Sequence, residues 1–369
     1  MRDESGRVFV IAEAGVNHNG SLDLARQLVD VAAAAGADAV KFQTFSADKL
    51  VLKSAARADY QIRNTGDSGS QHAMLKKLEM PNEMLLDLCA RAKAAGIEFM
   101  SSPFDPQSVD FLANTVGVRR LKIPSGEVIN AFLLIRAWHT GLPLILSSGM
   151  CTLEEILDSL ALLVWAEKTK GHTPPPSAAL AAIRAAQDDW CAPLRGRVTL
   201  LQCVTQYPAP AAATNLRAMA TLHAATGLPY GFSDHSEGRH VAVAAVALGA
   251  CVVEKHFTVS RDLPGPDHAA SLEPDELAAM IREIRDVESA LGDGVKVPNP
   301  VEIQNRLPAR GSIVATRKIL RGTPFAAEDL AVKRPGNGIS PLRGGDLVGA
   351  RAGRNYAPDE QIDANDLPA

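Results

Sequence analysis

The sequence predicts an α/β protein: a (β/α)8 or TIM barrel followed by a small β-rich domain. Three observations lead to this prediction. Short β-rich runs alternate with helix-like segments eight times before Gly292. Predicted helix ends carry the expected residues, such as the Thr152-x-x-Glu155 capping-box spacing and Gly36 at a helix stop. After Gly292 a Pro- and polar-rich stretch leads to short β-like runs separated by Gly and Pro turns.

The predicted elements follow one another in a regular order. A strand at 8–14 precedes a helix at 22–35, whose apolar residues recur at helical spacing, and a second strand at 39–45. A long loop then leads to a helix at 81–95. The remaining strands are predicted at 98–102, 120–124, 144–148, 199–204, 230–234 and 251–257, with helices beginning near 105, 129, 152, 216, 237 and 273. Eight units favour a barrel over a doubly wound sheet, which usually has fewer.

Domain limits follow from the same pattern. We expect a catalytic barrel at 1–292, a linker at 293–308 and a second domain at 309–369. One stretch, 168–197, contains three consecutive prolines and an Ala-rich piece, and it lengthens the connection between the fifth and sixth units. We interpret it as an excursion on the barrel surface, of unknown role.

Composition excludes several classes of function. Of the 369 residues, 46% are hydrophobic and 22% charged, and the formal net charge is −4. This charge gives no excess of positive residues that would favour binding to nucleic acid or to an anionic membrane. The polar N-terminus does not suit a signal peptide, and no apolar run is long enough to span a bilayer. The five cysteines are scattered and form no C-x-x-C pair, so we expect neither disulfides nor a cysteine zinc site. Free cysteines fit a reducing compartment, and we therefore expect a cytoplasmic location.

Polar residues end nearly every predicted strand. In a TIM barrel these positions build the active site, whereas a plain core would place branched apolar residues there. The strand-end residues are Glu13 and Asn17; Lys41 and Gln43; Ser101 and Ser102; Lys122, Ser125 and Glu127; Ser147 and Ser148; Thr205 and Tyr207; Ser233, Asp234 and His235; Glu254 and His256.

Two groups among these residues suggest chemistry. Lys41 and Lys122 lie in apolar runs, where an unpaired ammonium is costly, so we expect an anion shared between them. The nearby serines are either helix-capping turn residues or part of a cradle for phosphate and carboxylate. His235 and His256 end neighbouring strands and are either ligands of a divalent metal such as Mn²⁺ or Fe²⁺, or hydrogen-bonded barrel histidines. No Gly-x-Ser-x-Gly elbow, Walker loop or dinucleotide fingerprint is present.

Nine short motifs resemble those of one family. They are IAEAGVNHNG at 11–20, VKFQT at 40–44, KIPSGE at 122–127, LSSGM at 146–150, GFSDHS at 231–236, EKHFT at 254–258, GPDH at 265–268, SLEPDEL at 271–277 and KRPGNGIS at 333–340. Together they resemble the bacterial sialic acid (nonulosonic acid) synthase family with its C-terminal antifreeze-like (SAF) domain. Only the 168–197 stretch lies outside the resemblance.

The resemblance implies an enzyme that condenses phosphoenolpyruvate with an N-acylated mannosamine-type sugar, using a divalent metal and releasing phosphate. The first interpretation is N-acetylneuraminate synthase, acting on N-acetylmannosamine. The alternative is N,N'-diacetyllegionaminate synthase, acting on 2,4-diacetamido-2,4,6-trideoxymannose. A non-catalytic sugar-binding relic is a further alternative, as is ice binding by the C-terminal domain, which its polar Gly/Pro loop disfavours.

The resemblance also implies roles for individual residues. Phosphoenolpyruvate would be bound by Lys41, Ser102, Lys122, Ser125, Ser147, Thr205 and Ser233. His235 and His256 would hold the metal, expected to be Mn²⁺ with Mg²⁺ or Co²⁺ as alternatives. The sugar would lie among Gln43, Asn64, Tyr207 and Asp267. Glu13 would be the acid–base or water-orienting carboxylate and Glu127 a stabiliser of the developing cation; the alternative is that the two exchange these roles. Arg334 would reach the partner's active site in a domain-swapped homodimer.

Three positions depart from the family pattern. Gln202 and Gln206 stand where the family usually has His and Glu, and Ser148 stands for the commoner Thr. Gln202 keeps a polar group but cannot titrate, which weakens a mechanism that needs a base there. These two glutamines are what motivates the relic alternative.

Overall fold

The computed structural model describes residues 6–186 and 188–368. Its contacts divide the chain into two compact units, Met1–Gly292 and Asp293–Ala369. In the described part of the chain, no helix is both long enough and apolar enough to span a bilayer.

Eight parallel strands form a nearly closed barrel in the first unit. Their order in the sheet is β3-β2-β1-β8-β7-β6-β5-β4, and β3 and β4, at the two ends of that order, lie next to each other. The strands are β1 Phe9–Gly15, β2 Ala39–Thr44, β3 Glu98–Pro103, β4 Leu121–Ile123, β5 Leu144–Ser147, β6 Val198–Cys203, β7 Tyr230–Asp234 and β8 Val252–His256. The predicted TIM-barrel fold class is confirmed.

Helices follow the strands in the predicted alternation. They are α1 Leu22–Ala35, α2 Ala47–Leu50, α3 Asp59–Thr65, α4 Gln71–Lys76, α5 Asn82–Ala94, α6 Pro106–Asp110, α7 Ala131–His139, α8 Leu153–Thr169, α9 Ser177–Ala185, α10 Ala218–Thr226, α11 His240–Ala247 and α12 Pro274–Leu291. The capping box predicted for α8 is present, because Thr152 Oγ1 accepts from the Glu155 N–H and the Glu155 carboxylate accepts from the Thr152 N–H.

The core has two layers that explain where polar residues can stand. The larger apolar cluster fills the space between strands and helices. A smaller one, which includes Ile11, Ala39, Leu201 and Val252, comes from the inward faces of the strands. Because side chains alternate along a strand, the next inward positions towards the carboxyl ends are two residues further on, as with Glu13 after Ile11. An apolar floor thus lies below a polar layer.

The segment between β2 and α5 corrects one prediction. We expected a single long loop, but the structure has three short helices, α2, α3 and α4. Helices of four to seven residues are too short to give a sustained apolar period in the sequence. Tertiary contacts hold the segment instead: the buried Arg57 guanidinium donates to Thr65 Oγ1, to the Asp67 carbonyl and to the Asp67 carboxylate.

The 168–197 stretch continues α8 to Thr169 and adds helix α9. Arg184 on α9 donates to the carboxylates of Glu154 and Asp158 on α8, so charge pairs fasten the insertion to the outer surface of the barrel unit.

The second unit is small and has its own core. Strands β9 Ser312–Ala315 and β10 Leu330–Lys333 pair antiparallel, and Phe325, Leu347 and Tyr356 are buried against them. Short helix α14 spans Gly344–Leu347. The predicted linker contains a helix, α13 Pro300–Ala309. Asn299 caps it through a bond from the Val301 N–H, and Pro300 suits its first position, so the prolines that suggested a linker also start a helix.

Candidate active site

Glu254 lies between the two interior lysines at the carboxyl end of the barrel. Its Oε1 is 3.1 Å from Lys122 Nζ and accepts a 2.8 Å bond from Ser233 Oγ, while its Oε2 is 3.6 Å from Lys41 Nζ. Burial disfavours a charged carboxylate, but Lys122 and Lys41 outweigh it and lower the pKa of Glu254 to about 2. The anion that we expected the lysines to share is therefore, in the protein alone, a carboxylate of the same chain.

Glu13 is the second carboxylate of this cluster. Its Oε2 is 2.7 Å from Lys41 Nζ, which also donates to Ser102 Oγ at 3.1 Å, and its Oε1 accepts a 3.4 Å bond from Gln43 Nε2. Burial raises the pKa of Glu13 to about 7; Lys41 opposes that rise and the charge of Glu254 adds to it. The two carboxylates thus differ: Glu254 stays ionised, whereas Glu13 can gain or lose a proton near neutral pH.

Three hydroxyls expected to bind phosphoenolpyruvate, those of Ser125, Ser147 and Thr205, lie near a glycine turn after β5. A Cβ on Gly149 would come within 2.5 Å of Thr205 Oγ1 and 2.8 Å of Ser125 Oγ, so only glycine permits this close approach. The Gly149 N–H donates to Ser125 Oγ. Thr205 Oγ1 and Ser147 Oγ are buried and have no hydrogen-bond partner in the described structure. A buried hydroxyl without a partner is costly, and a ligand oxygen would remove that cost.

His235 and His256 converge as predicted, with ring centroids 5.3 Å apart. His235 Nδ1 is 2.6 Å from the Val204 carbonyl, which can only accept, so Nδ1 carries a proton and Nε2 has a lone pair when the ring is neutral. Burial lowers the pKa of His235, but Cys203 and the Val204 carbonyl outweigh it and raise that pKa overall. Burial and the neighbouring His235 lower the pKa of His256 well below its usual range, which keeps this imidazole neutral. Its Nδ1 is buried without a hydrogen-bond partner in the described structure. Tyr207 packs on both rings.

Gly15 lies where Glu13, of the lysine cluster, approaches His256 and Asp267. A Cβ on Gly15 would lie 3.3 Å from Glu13 Oε1, 3.3 Å from His256 Cε1 and 3.5 Å from Asp267 Oδ2, and its φ of +52° is itself a conformation that favours glycine. Asp267 Oδ2 is 4.0 Å from His256 Nδ1. Burial raises the pKa of Asp267 to about 6, against the lowering effect of His235 and Lys41.

A buried ion pair holds the two histidine-bearing strands together. Asp234 and Lys255 precede His235 and His256 in the chain and are partners in the β7–β8 pairing. Their side chains are fully buried and 2.9 Å apart. Lys255 also donates to the Ser236 carbonyl, and Asp234 accepts from the Ser236 N–H and hydroxyl. This network fixes the ends of both strands, and with them the histidines.

Other residues singled out in the sequence have separate places. Asn64, on α3, donates a 2.6 Å bond to the Pro266 carbonyl beside Asp267. Glu127 is half-buried and accepts from Asn130 Nδ2; among the described contacts none joins it to the lysine or histidine groups. Arg334 is exposed in the second unit. Gln202 donates to the Thr214 carbonyl and accepts from Ser148 Oγ, so this departure from the family pattern has a structural use.

Two residues of the site had no predicted role. Glu254 was among the polar residues at strand ends, and strand alternation predicts that it lies on the same face as His256. Alternation alone does not predict that Glu254 lies between two lysines of other strands. Tyr60, on α3, packs against Tyr207 with ring centroids 5.1 Å apart. Its position depends on the fold of the segment between β2 and α5, which the sequence pattern did not resolve.

The donor set fits a divalent metal held by two protein ligands. Two neutral or neutralisable imidazoles with free nitrogens suit Mn²⁺ and similar ions, and the remaining positions would be open to substrate and water. In the described residues, no group of three or more His, Cys, Asp or Glu is arranged to hold a metal.

A parallel barrel with a buried lysine–carboxylate layer beside two histidines defines an enzyme site for a small anionic substrate. Comparison with known proteins identifies the class. Residues 28–296 match the NeuB family and residues 310–368 match the SAF domain. The chain belongs to the NeuB family, the phosphoenolpyruvate-dependent nonulosonic acid synthases, with a C-terminal SAF domain. The family resemblance of the sequence motifs is confirmed.

Individual relatives are similar over most of the chain. It is 44% identical to the N,N'-diacetyllegionaminic acid synthase of Legionella pneumophila, over 96% of this chain and 93% of that protein. It is 42% identical to the enzyme of the same name from Campylobacter jejuni, over 96% and 99%. Among solved structures, an N-acetylneuraminic acid synthetase from Leptospira borgpetersenii in complex with citrate is 33% identical, covers 81% of this chain and 90% of its own, and superposes with a TM-score of 0.65.

Proposed function

We propose that the protein is an N,N'-diacetyllegionaminate synthase, which condenses phosphoenolpyruvate with 2,4-diacetamido-2,4,6-trideoxymannose and releases phosphate. The observation that carries this choice of sugar is the similarity to two diacetyllegionaminic acid synthases at 44% and 42% identity. The N-acetylneuraminic acid synthetase of similar structure is 33% identical. Similarity therefore favours the alternative interpretation of the sequence over N-acetylneuraminate synthase, which stays the second candidate.

The lysine cluster supports binding of phosphoenolpyruvate. Lys41 and Lys122 are the buried cations, and the Ser147 and Thr205 hydroxyls are donors without partners. An incoming carboxylate or phosphate would accept from these groups in place of water. Glu254 lies within 3.6 Å of Lys41 Nζ and 3.1 Å of Lys122 Nζ, so it orients both ammonium groups before the substrate arrives.

Glu13 supplies the proton transfer in this proposal. After the methylene carbon of phosphoenolpyruvate has attacked the aldehyde, a cationic centre remains at the carbon that bears the phosphate oxygen. Water adds there and gives a proton to the Glu13 carboxylate. Glu13 then returns this proton to the departing phosphate oxygen as its bond to carbon breaks, and the second proton of the added water passes to the former aldehyde oxygen, which leaves the 2-keto group. A pKa of about 7 suits a group that must both accept and return a proton. Glu127 has no contact with the cluster in the described structure, so we assign the role to Glu13 alone.

The histidine group supports activation of the sugar. His235 and His256 would hold the divalent metal, Mn²⁺ in our proposal, and Asp267 and Tyr207 would line the sugar beside them. When bound, the metal would supply Lewis-acid polarisation of the aldehyde oxygen. The protein's own contribution is to keep the His256 imidazole neutral and, through the Val204 carbonyl, to hold a proton of His235 at Nδ1.

A product assay tests the sugar. Purified protein with phosphoenolpyruvate and Mn²⁺ is given each sugar in turn, and phosphate release and product mass are measured. We expect kcat/KM for the diacetamido sugar to exceed that for N-acetylmannosamine by at least about tenfold, because one or two additional hydrogen bonds to the sugar contribute about that factor. The opposite preference would establish the second candidate, and no phosphate release with either sugar would favour the relic.

Removal of a histidine tests the metal site. In His235→Ala we expect Mn²⁺ binding, followed by the EPR signal of free Mn²⁺, to weaken by about 100-fold or more, and turnover to be lost. His223→Ala is the matched control, since the exposed His223 bonds to the Leu228 carbonyl away from the site. Undiminished turnover of His235→Ala would overturn this part of the proposal.

We also propose a cytoplasmic homodimer, on the strength of the family resemblance, in which Arg334 of one protomer reaches the site of its partner. Arg334 lies exposed in a Gly/Pro loop of the second unit, which suits a contact with a polar ligand. Sedimentation of the purified chain at the mass of one protomer would contradict it.

A further inference from the structure

Tyr60 continues a row of rings that starts at the two histidines. His235 and His256 have centroids 5.3 Å apart, Tyr207 lies 4.1 Å from His235, and Tyr60 lies 5.1 Å from Tyr207. Tyr60 is tilted by 35° to Tyr207, so the two phenol rings form a continuous apolar wall. Tyr60 is at the end of the row away from the histidines, and the proposed reaction gives it no role.

The Tyr60 hydroxyl has a proton to give. Its oxygen accepts a 3.4 Å bond from Gln61 Nε2, and within the described part of the chain it donates none. Burial, with a further contribution from the negative charge of Asp267, raises the pKa of Tyr60, so the phenol stays neutral and keeps its O–H. A partly buried donor without an acceptor is available to a ligand.

Helix α3 places Tyr60 among the residues assigned to the sugar. Asn64 follows it by four positions, so both side chains lie on one face of the helix. The Asn64 amide bonds to the Pro266 carbonyl, which precedes Asp267, and this bond fastens α3 to the loop that carries Asp267. Tyr60 therefore shares a helix face with Asn64, its ring contacts Tyr207, and it is near enough to Asp267 to feel that carboxylate's charge.

We propose that Tyr60 is a specificity-determining residue that binds the acetamido group at C4 of the sugar, the group that N-acetylmannosamine lacks. This inference rests on the proposed function. An acetamido group joins a methyl to a carbonyl acceptor, and Tyr60 offers the complement of each: a ring face beside Tyr207 and a free hydroxyl donor.

The order of the rings suits a substituent remote from the aldehyde. In the proposed function the aldehyde end of the sugar lies towards His235 and His256, and Tyr60 contacts Tyr207, whose ring packs on both histidines. Tyr60 is therefore placed for a group farther from the aldehyde than C2, and the acetamido group at C4 is such a group.

Tyr60→Phe tests the hydroxyl while keeping the ring. We expect KM for the diacetamido sugar to rise by about fivefold to tenfold, as for loss of one neutral hydrogen bond, and KM for phosphoenolpyruvate to stay within about twofold. The affinity for N-acetylmannosamine, measured as a substrate or as a competitive inhibitor, should also stay within about twofold. Tyr60→Ala removes the ring as well and should weaken the diacetamido sugar further.

Tyr230→Phe is the matched control, because it removes a tyrosine hydroxyl that donates to the Leu248 carbonyl outside the site. An unchanged KM for the diacetamido sugar in Tyr60→Phe, an equal loss for both sugars, or a parallel rise in KM for phosphoenolpyruvate would each overturn the assignment. Failure of the proposed function is seen separately, in the sugar preference of the unsubstituted protein.

Discussion

The site has two sides that meet at Gly15 and differ in how their polar groups are satisfied. On the lysine side, made of Lys41, Lys122, Glu13 and Glu254, two cations are paired with two carboxylates of the same chain. On the histidine side, made of His235, His256, Tyr207 and Asp267, the Asp267 carboxylate is 4.0 Å from His256 Nδ1, and that nitrogen bonds to none of the described residues.

This difference indicates a division of labour. On the lysine side each cation has a carboxylate partner before any substrate arrives, so removal of one partner leaves a buried charge uncompensated and destabilises the fold. On the histidine side the His256 imidazole is neutral and its Nδ1 has no partner among the described residues, at a cost in stability that bound metal and sugar would offset. Substitutions on the lysine side should therefore change both the free energy of unfolding and the activity. Substitutions of side chains that have no hydrogen-bond partner in the described structure should change substrate or metal affinity more than the free energy of unfolding.

Glu254→Gln should have the largest effect on stability. It leaves two buried lysines with Glu13 as their one remaining carboxylate, and removing one member of a buried ionic cluster costs about 3–5 kcal/mol. Urea unfolding at pH 7 measures the change, with Glu83→Gln on the exposed face of α5 as the control. A Glu254→Gln protein as stable as the control would show that the lysine side does not support the fold.

The same pair of proteins has an expected pH dependence. The pKa of Glu254 is lowered to about 2 in the folded protein from an ordinary 4.5, so its contribution to stability is present above about pH 4.5 and is lost as the pH falls towards 2. The difference in unfolding free energy between Glu254→Gln and the unsubstituted protein should shrink over that interval.

Glu13 should show the opposite pH dependence, with a smaller effect. Its folded pKa of about 7 lies above the ordinary 4.5, so the folded state binds the extra proton and stability falls as the pH rises from about 4.5 to 7. The slope can reach about 1.4 kcal/mol per pH unit. Glu13→Gln should lack this slope and should also lose the limb near pH 7 in the pH profile of kcat. Unfolding curves across this range, with parallel slopes for the two proteins, would contradict the raised pKa.

Much of the fold could be predicted because its elements are long and periodic. The ranges of α1 and β7 agree with the predicted 22–35 and 230–234. Helices α2, α3 and α4 were missed because each has too few turns to show a period, and because the segment is held by side-chain contacts of the buried Arg57 with Thr65 and Asp67, which no periodic pattern reveals.

The site could be predicted in part for a related reason. Strand alternation and barrel topology place Lys41 and His256 at one end, but they do not say which atoms meet. The sequence therefore indicated that the lysines needed an anion without showing that Glu254 supplies it. Tyr60 lies in the segment whose helices were missed, so no sequence pattern pointed to it.

Ser147→Ala should have the smallest effect on folding and so separates the two kinds of group most sharply. Ser147 Oγ is buried and has no partner in the described structure, so its removal should leave stability within about 0.5 kcal/mol or raise it slightly. Affinity for phosphoenolpyruvate should fall by about tenfold or more, because a hydrogen bond to a charged oxygen is lost.

The neighbouring Ser148→Ala is a control with the reverse expectation. Ser148 Oγ donates a 2.9 Å bond to the Leu201 carbonyl, so its loss should cost about 1 kcal/mol of stability and leave KM for phosphoenolpyruvate nearly unchanged. If both variants lost stability equally and neither changed KM, Ser147 would be an ordinary strand-end serine. The distinction between side chains that stabilise the fold and side chains that bind substrate would then not hold for Ser147 and Ser148, where it is easiest to measure.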